Sequence, residues 1–247
     1  MYFSDKAKEE KIISDKIYSN LNSEVERTSK RFTRDIVDIA KDKKILLDIG
    51  CGTGLNANFL KEKGYEIYGI DVSKIAIDKF NKKGFKGKIM DISQELEFEE
   101  NFFDVIFASE VIEHVSYTEG FLKEIKRVLK PGGILYLSTP NSSFWPYRIL
   151  SLIGFTLSQT QHKGHVRFFN KDSLSRTLKD NQFKIEKYCS RIMPLIVPFD
   201  FRYFKLFGFI REFRVKTNNF FWHLSFFANK VSNFWSDTII LKAINLK

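Results

Sequence analysis

The sequence is poor in several residue types whose absence narrows the reading. Only two cysteines, Cys51 and Cys189, occur in 247 residues, with no Cys-x-x-Cys pair. That excludes a disulfide framework and a cysteine-rich metal site. No apolar run approaches the roughly 18–20 residues that a membrane-spanning helix needs. Residues 1–16 are charged and lack an apolar stretch of signal-peptide length. A cytoplasmic location is therefore expected, with any membrane contact peripheral. Internal repeats and low-complexity tracts are missing too. Acidic side chains are fewer than basic ones, 30 against 40, which leaves a net charge of +10. Such an excess suits nucleic acid or an anionic membrane face, and equally a compositional bias toward Lys, Asn, Ile and Phe. Charge alone does not choose.

What is present describes an ordinary globular chain, 43% hydrophobic and 28% charged, with an unusual 26 phenylalanines. The length suits one α/β domain with a proper core. Residues 4–41 carry apolar positions at helical spacing (Ile13, Ile17, Leu21, then Phe32, Ile36, Val37, Ala40), which predicts one or two amphipathic helices. Residues 45–49 form a short, nearly continuous apolar run, the pattern of a strand covered on both faces. Helices and strands then alternate: a helix over 55–63 capped by Gly64, a strand over 66–70, a helix over 74–82 capped by Ser73, strands over 86–90 and 103–108. A further helix ends at Pro131-Gly132-Gly133, before a strand over 134–138. Residues 141–164 read as an irregular, partly apolar insertion. A helix over 171–179 capped by Asn170, a strand over 183–189 and a closing strand over 238–244 complete the series. The pattern predicts an α/β fold with a doubly wound, mostly parallel seven-stranded sheet. The expected segments are N-terminal helices over 1–41, a cofactor-binding core over 42–190, an aromatic-rich helical insertion over 191–236 and a final strand over 237–247, all in one domain.

The chemistry concentrates in the turn after the first strand, Asp48-Ile49-Gly50-Cys51-Gly52-Thr53-Gly54. A glycine-rich strand-to-helix turn brings backbone N–H groups and a helix N-terminus against a ligand. A phosphate-binding P-loop would end in Gly-Lys-Ser or Gly-Lys-Thr, and this turn ends Thr53-Gly54-Leu55-Asn56. The dinucleotide fingerprint Gly-x-Gly-x-x-Gly fails at Leu55. Gly-x-Gly-x-Gly behind a carboxylate favours a ligand that carries an ammonium group and no phosphates.

These residues resemble motif I of class I S-adenosylmethionine methyltransferases, and further motifs of that family follow in order over roughly residues 40–190. Asp71, in Gly69-Ile70-Asp71-Val72-Ser73, matches the acidic residue that holds both ribose hydroxyls. Asp91-Ile92 matches the pair beside the adenine. Phe103-Asp104-Val105-Ile106-Phe107-Ala108-Ser109 matches the fourth strand, and Lys130-Pro131-Gly132-Gly133 the turn into the fifth. The resemblance implies a Rossmann-like fold and S-adenosylmethionine as cofactor. It implies a binding set of Asp48, Gly50, Cys51, Gly52, Gly54, Asp71, Val72, Asp91, Ile92, Ser109 and Glu110. Cys51 reads as a loop residue rather than a nucleophile.

Just past the fourth strand comes Ser109-Glu110-Val111-Ile112-Glu113-His114-Val115, where open α/β sheets place ligands. The segment is similar to the Glu-x-x-Glu-His stretch of ubiquinone-biosynthesis O-methyltransferases, which is associated with a divalent cation. That similarity implies Glu110, Glu113 and His114 as metal ligands. The same residues read as easily as a base (His114, supported by Glu113) or as a buried hydrogen-bonded pair. His165, in His162-Lys163-Gly164-His165-Val166-Arg167-Phe168-Phe169, is a second candidate base or a wall of the acceptor pocket. The resemblance implies O-methylation of a small or lipid-linked acceptor such as a quinone precursor. Methylation of glycan, nucleic acid or protein, and a non-catalytic cofactor-binding scaffold, remain as alternatives. Nucleic acid is disfavoured, because the Asn/Asp-Pro-Pro-Tyr/Phe motif is absent after the fourth strand. Finally, Tyr203, Leu206, Phe207, Ile210 and Phe213, then Phe220, Leu224, Phe227, Val231 and Phe234, fit helical faces flanked by Lys205, Arg211 and Arg214. Such helices lie on an anionic membrane, roof an apolar site, or fold together as ordinary core.

Overall fold

The computed structural model describes residues 12, 15, 36–41, 44–161, 164–192, 226–228 and 234–247. The chain runs β1 (Lys44–Ile49), α1 (Leu55–Glu62), β2 (Tyr65–Asp71), α2 (Lys74–Lys82), β3 (Lys86–Ile89), β4 (Phe103–Ser109), a short 3-10 turn (Ile112–His114) and α3 (Thr118–Val128). It continues through β5 (Leu129–Pro140), α4 (Trp145–Leu152), α5 (Leu157–Thr160), α6 (Lys171–Asp180), β6 (Phe183–Ile192), β7 (Phe226–Ala228) and β8 (Ser236–Asn245). One sheet takes in all eight strands in the order β3-β2-β1-β4-β5-β8-β6-β7. Strands β1 to β5 pair in parallel, and β8 returns antiparallel between β5 and β6.

Alternation along each strand feeds two cores. Leu47, Ile49, Ile106, Leu135, Leu137 and Leu241 face one side, and Leu46, Val105, Phe107, Tyr136 and Ile240 face the other. Period-two side chains that are buried in both directions are what a sheet covered by helices on both faces requires. Local signals set the helix ends. The Ser73 hydroxyl accepts from Ala76 N at 3.2 Å, and the Asn170 side chain accepts from Ser173 N at 2.8 Å.

The expected seven strands are present, and an eighth, β7, adds to the open edge of β6 through Ser190–Ile192. That corrects part of the helical reading of the aromatic insertion. Phe227 lies in a strand, and Phe234 lies in a turn leading into β8. Aromatic residues suit strands as well as helices, and the unpaired edge of β6 supplied the partner. The face from Tyr203 to Phe213, and Phe220, Leu224 and Val231, fall outside the described residues, as do Ile13, Ile17, Leu21 and Phe32.

Two further expectations change. Residues 141–164 are not irregular throughout, since they hold α4 and α5. With eight and four residues, these helices are too short for a helical period to show in the sequence. Helix α3 stops at Val128, and Pro131-Gly132-Gly133 instead bulges out of β5, where pairing with β4 jumps from Phe103↔Leu129 to Val105↔Ile134. Helical spacing also misleads at Ile36–Ala40, where the chain is non-helical. The reason is a set of tertiary bonds. Ala40 N donates to Lys63 O at 2.8 Å, and Tyr65 Oη donates to Asp38 O at 3.0 Å. Tyr136 Oη donates to the Asp38 carboxylate at 2.9 Å, and Lys242 Nζ lies 3.0 Å from the same oxygen.

The topology also locates the ligand crevice. From β1 the chain moves outward to β2 and β3, then returns to the other side of β1 as β4. Loops leaving the carboxyl ends of β1 and β4 therefore diverge, and the gap between them is where open α/β sheets bind ligands.

Candidate active site

At the end of β1 the backbone turns through three glycines in left-handed conformation, Gly50 (φ +66), Gly52 (φ +53) and Gly54 (φ +82). A side chain at Gly50 would meet Val111 Cγ2 at 2.9 Å, so conformation and space both require glycine there. Gly50 N and Cys51 N donate to Ile70 O at 2.9 and 3.1 Å, which straps the turn to β2. Asp71, buried at the end of β2, accepts from Gly52 N at 3.0 Å through one carboxylate oxygen and from Ser73 N at 2.9 Å through the other. Those bonds hold its carboxylate at the rim of the crevice. Asp48 lies buried in β1 beneath the turn. Cys51 is packed, with its Sγ 2.8 Å from the position a Cβ on Gly69 would take, which agrees with a structural role. Asp91 and Ile92 follow β3, where Asp91 accepts from Ser93 N at 2.9 Å.

Opposite this half, Glu110 sits at φ +57, a backbone region that costs a non-glycine residue about 1–3 kcal/mol. Its N–H donates to Ser138 O at 3.1 Å, and its carboxylate accepts from Ser138 Oγ at 2.9 Å. Ser109 Oγ lies 3.1 Å from the same hydroxyl. The strained turn aims the following residues inward. Glu113 is 1% exposed; one carboxyl oxygen accepts from Thr139 Oγ1 at 3.0 Å, and the other, Oε1, is buried without a hydrogen bond. Burial first, and the negative charge of Glu110 second, push the Glu113 carboxyl well above the usual carboxylate range. His114 Nδ1 lies 3.1 Å from Gly164 O, and its ring meets His165 edge-on at 4.8 Å. A carbonyl partner means that His114 Nδ1 carries the proton and leaves Nε2 as the basic nitrogen. His165 Nε2 is 4.0 Å from Glu113 Oε1.

The structure thus brings Glu113, His114 and His165 together, with one ligand atom from each within 4.8 Å of the others. This differs from the set expected from sequence similarity, in which Glu110 stood where His165 now stands. The Glu110 carboxylate instead engages Ser138. Residues 164–167 reach the cluster because Val166 N and Arg167 N both donate to Glu113 O, at 2.9 and 3.0 Å. A cavity of about 690 Å³ opens beside His114, lined also by Asp91, Ile92, Tyr117, Phe121 and Lys123. It joins the third-strand loop to His114 and does not include the glycine turn.

Residues 21–188 match the family described as Methyltransferase domain. The chain belongs to this family. The methyltransferase domain is also similar to the ubiquinone biosynthesis O-methyltransferase of Pelagibacter ubique, at 38% identity over 113 residues that cover 44% of this chain and 47% of the relative. The enzyme of the same description from Bradyrhizobium sp. (strain ORS 278) is 33% identical over 150 residues, 57% of this chain and 58% of the relative. The chain thus spans about half the length of the curated relatives it matches. Among solved structures, a SAM-dependent methyltransferase from Thermotoga maritima superposes with a TM-score of 0.64 at 16% identity, covering 94% of this chain and 99% of that one. That likeness speaks for the fold alone.

One residue of this methyltransferase domain escaped the sequence reading. Gln161 is 5% exposed, and its Oε1 lies 3.0 Å from His165 Nδ1. A glutamine in a polar stretch carries no sequence signal. Only the bonds of Val166 and Arg167 to Glu113 O, which bring His165 into the cluster, place it.

Proposed function

We propose that this domain uses S-adenosylmethionine to methylate an oxygen of a small or lipid-linked acceptor, a quinone precursor being the acceptor chemistry suggested by the relatives. The observation that carries the reading is the pairing of two half-sites at the carboxyl ends of β1, β2 and β4. One is a left-handed glycine turn beside an anchored carboxylate, and the other is a histidine pair around a buried glutamate. The donor set fits the cofactor. Asp71, oriented by two backbone N–H groups, would accept the ribose hydroxyls in charge-assisted bonds worth about 1.5–3 kcal/mol each. The glycine turn lets backbone N–H groups approach the amino-acid end, with Asp48 below as a counter-charge for its ammonium. Asp91, Ile92, Val72 and Ser109 would flank the adenosine. When bound, the cofactor supplies an electrophilic methyl group, so the protein has only to align the acceptor and remove its proton.

His114 performs the second task. Its Nδ1 is engaged by Gly164 O, and it lines the cavity, so an acceptor hydroxyl in that cavity can pass its proton to Nε2. His165, edge-on to its ring at 4.8 Å, and Glu113 beside them would hold it in place. A second reading has one specific observation in its favour: the buried Glu113 Oε1 without a hydrogen bond. Glu113, His114 and His165 would then hold a divalent cation that acidifies the acceptor. Formation of S-adenosylhomocysteine with catechol-type quinol precursors, with and without chelator, tests both. Turnover that survives chelation supports the base, and turnover lost on chelation supports the cation. No turnover with any phenolic acceptor contradicts the proposed activity.

The location proposed is cytoplasmic, with peripheral contact at an anionic membrane. Among the described residues no helix is long and apolar enough to cross a membrane.

A further inference from the structure

Both histidines of the acceptor half have Nδ1 engaged, but by different kinds of oxygen. His114 Nδ1 lies 3.1 Å from the backbone oxygen of Gly164, whereas His165 Nδ1 lies 3.0 Å from the side-chain oxygen of Gln161. A backbone carbonyl is present whatever the residue, while a side-chain one requires this residue. The segment that carries it is anchored at both ends. Thr156 N donates to the Gln159 side chain at 2.9 Å at the start of α5, and Gln161 N donates to Leu157 O at 2.9 Å at its end. Beyond His165, Val166 N and Arg167 N are bound to Glu113 O. Gln161 and His165 therefore meet between fixed points, with the Gln161 side chain buried.

The amide dictates where the His165 proton sits. An amide oxygen only accepts, so His165 Nδ1 donates to it and Nε2 carries the lone pair. Nε2 is also the atom that faces Glu113 Oε1, at 4.0 Å. That gap is longer than a hydrogen bond, and Oε1 is buried without one. Gln161 Nε2 is likewise buried without a hydrogen bond. Stranding a buried amide donor costs about 1–3 kcal/mol, which offsets the bond to His165, so stability alone does not account for this glutamine. A glutamate would offer the same oxygen but would set a further carboxylate near Glu113.

We infer that Gln161 is a positioning residue, whose side-chain oxygen keeps the His165 proton on Nδ1 and so presents Nε2 to Glu113 as the basic nitrogen of the acceptor half. Without Gln161 the proton would move to Nε2, and His165 would face Glu113 as a donor. The inference rests on the proposed function for its kinetic consequence only, because the tautomer is read without turnover.

The test is long-range proton–nitrogen NMR of the full chain carrying isotope-labelled histidine, about two pH units above the ordinary imidazole pKa of about 6.5. With only four histidines in the chain, the signals lost in His165→Asn assign His165. Wild type should show the Nδ1–H form, and Gln161→Leu should shift His165 toward Nε2–H. With a catechol-type quinol precursor, Gln161→Leu should lower kcat about 10–100-fold while leaving S-adenosylhomocysteine affinity unchanged. Should this variant melt early, the wild-type spectrum and Gln161→Glu decide, since a carboxylate oxygen should retain the Nδ1–H form. Wild-type His165 protonated at Nε2, or an unchanged tautomer in folded Gln161→Leu, overturns the inference. So does an unchanged kcat in a variant whose tautomer has moved. A tautomer that follows Gln161 in a protein without turnover upholds the positioning role and contradicts the proposed activity instead.

Discussion

The two halves of the site are built in different ways. The proposed donor half is mostly backbone: three left-handed glycines, carbonyl straps from β2 and one carboxylate held by two N–H groups, all between Asp48 and Ser73. The proposed acceptor half is mostly side chain, and it joins residues about fifty positions apart. Glu113 and His114 follow β4, while Gln161 and His165 arrive on the excursion after β5. Backbone geometry tolerates almost no substitution and leaves a recognisable pattern. A side-chain cluster can be assembled from many spacings and leaves no such pattern.

The sharpest way to break this comparison is to disable each half separately. His114→Ala should lower turnover by about 10²–10⁴-fold, the usual worth of a positioned base, while leaving S-adenosylhomocysteine affinity unchanged. Steady-state kinetics and calorimetry on one preparation check it, and an equal loss in both would merge the halves. Asp71→Ala should do the reverse, weakening cofactor binding by roughly a hundredfold or more through loss of two charge-assisted bonds. An unchanged dissociation constant would remove Asp71 from the site.

A smaller effect separates conformation from space within the backbone half. Gly132 (φ +71) lies in the β5 bulge, with nothing within 4 Å of a Cβ, whereas Gly50 (φ +66) has Val111 at 2.9 Å. Gly132→Ala should cost about 1–2 kcal/mol for the left-handed backbone alone. Gly50→Ala should cost more and also disturb the cofactor site. Equal melting temperatures for the two variants would contradict the crowding.

The smallest effect at any one pH concerns Glu113. Its folded pKa is raised by burial and by Glu110, so the folded state holds the proton more tightly than the unfolded chain. The stability this confers is full below the ordinary value of 4.5 and is lost as pH rises through the folded value. In chelator-treated protein, Glu113→Gln should flatten that decline. Melting curves for wild type and variant that run parallel across the range would refute it.

The same contrast explains what could be read before the fold was known. The β1 run, the caps at Ser73 and Asn170, and the return of β8 to the sheet follow from short-range patterns, and the structure reproduces them. Regions decided by distant partners were not legible. Ile36–Ala40 has helical spacing, yet bonds to Lys63, Tyr65 and Tyr136 hold it open. Phe227 could belong to either element until the edge of β6 was available. In the site, Glu113 and His114 were visible beside β4. That His165 and not Glu110 completes their cluster depends on residues 164–167 folding onto the Glu113 carbonyl, a contact that no local pattern encodes.

The most direct test of the central claim is calorimetric titration of the folded protein with S-adenosylhomocysteine and, in parallel, with NAD. Saturable one-to-one uptake of the former and none of the latter is expected, because the turn after β1 lacks the third glycine of a dinucleotide site. No heat from S-adenosylhomocysteine, or comparable binding of NAD, would contradict it.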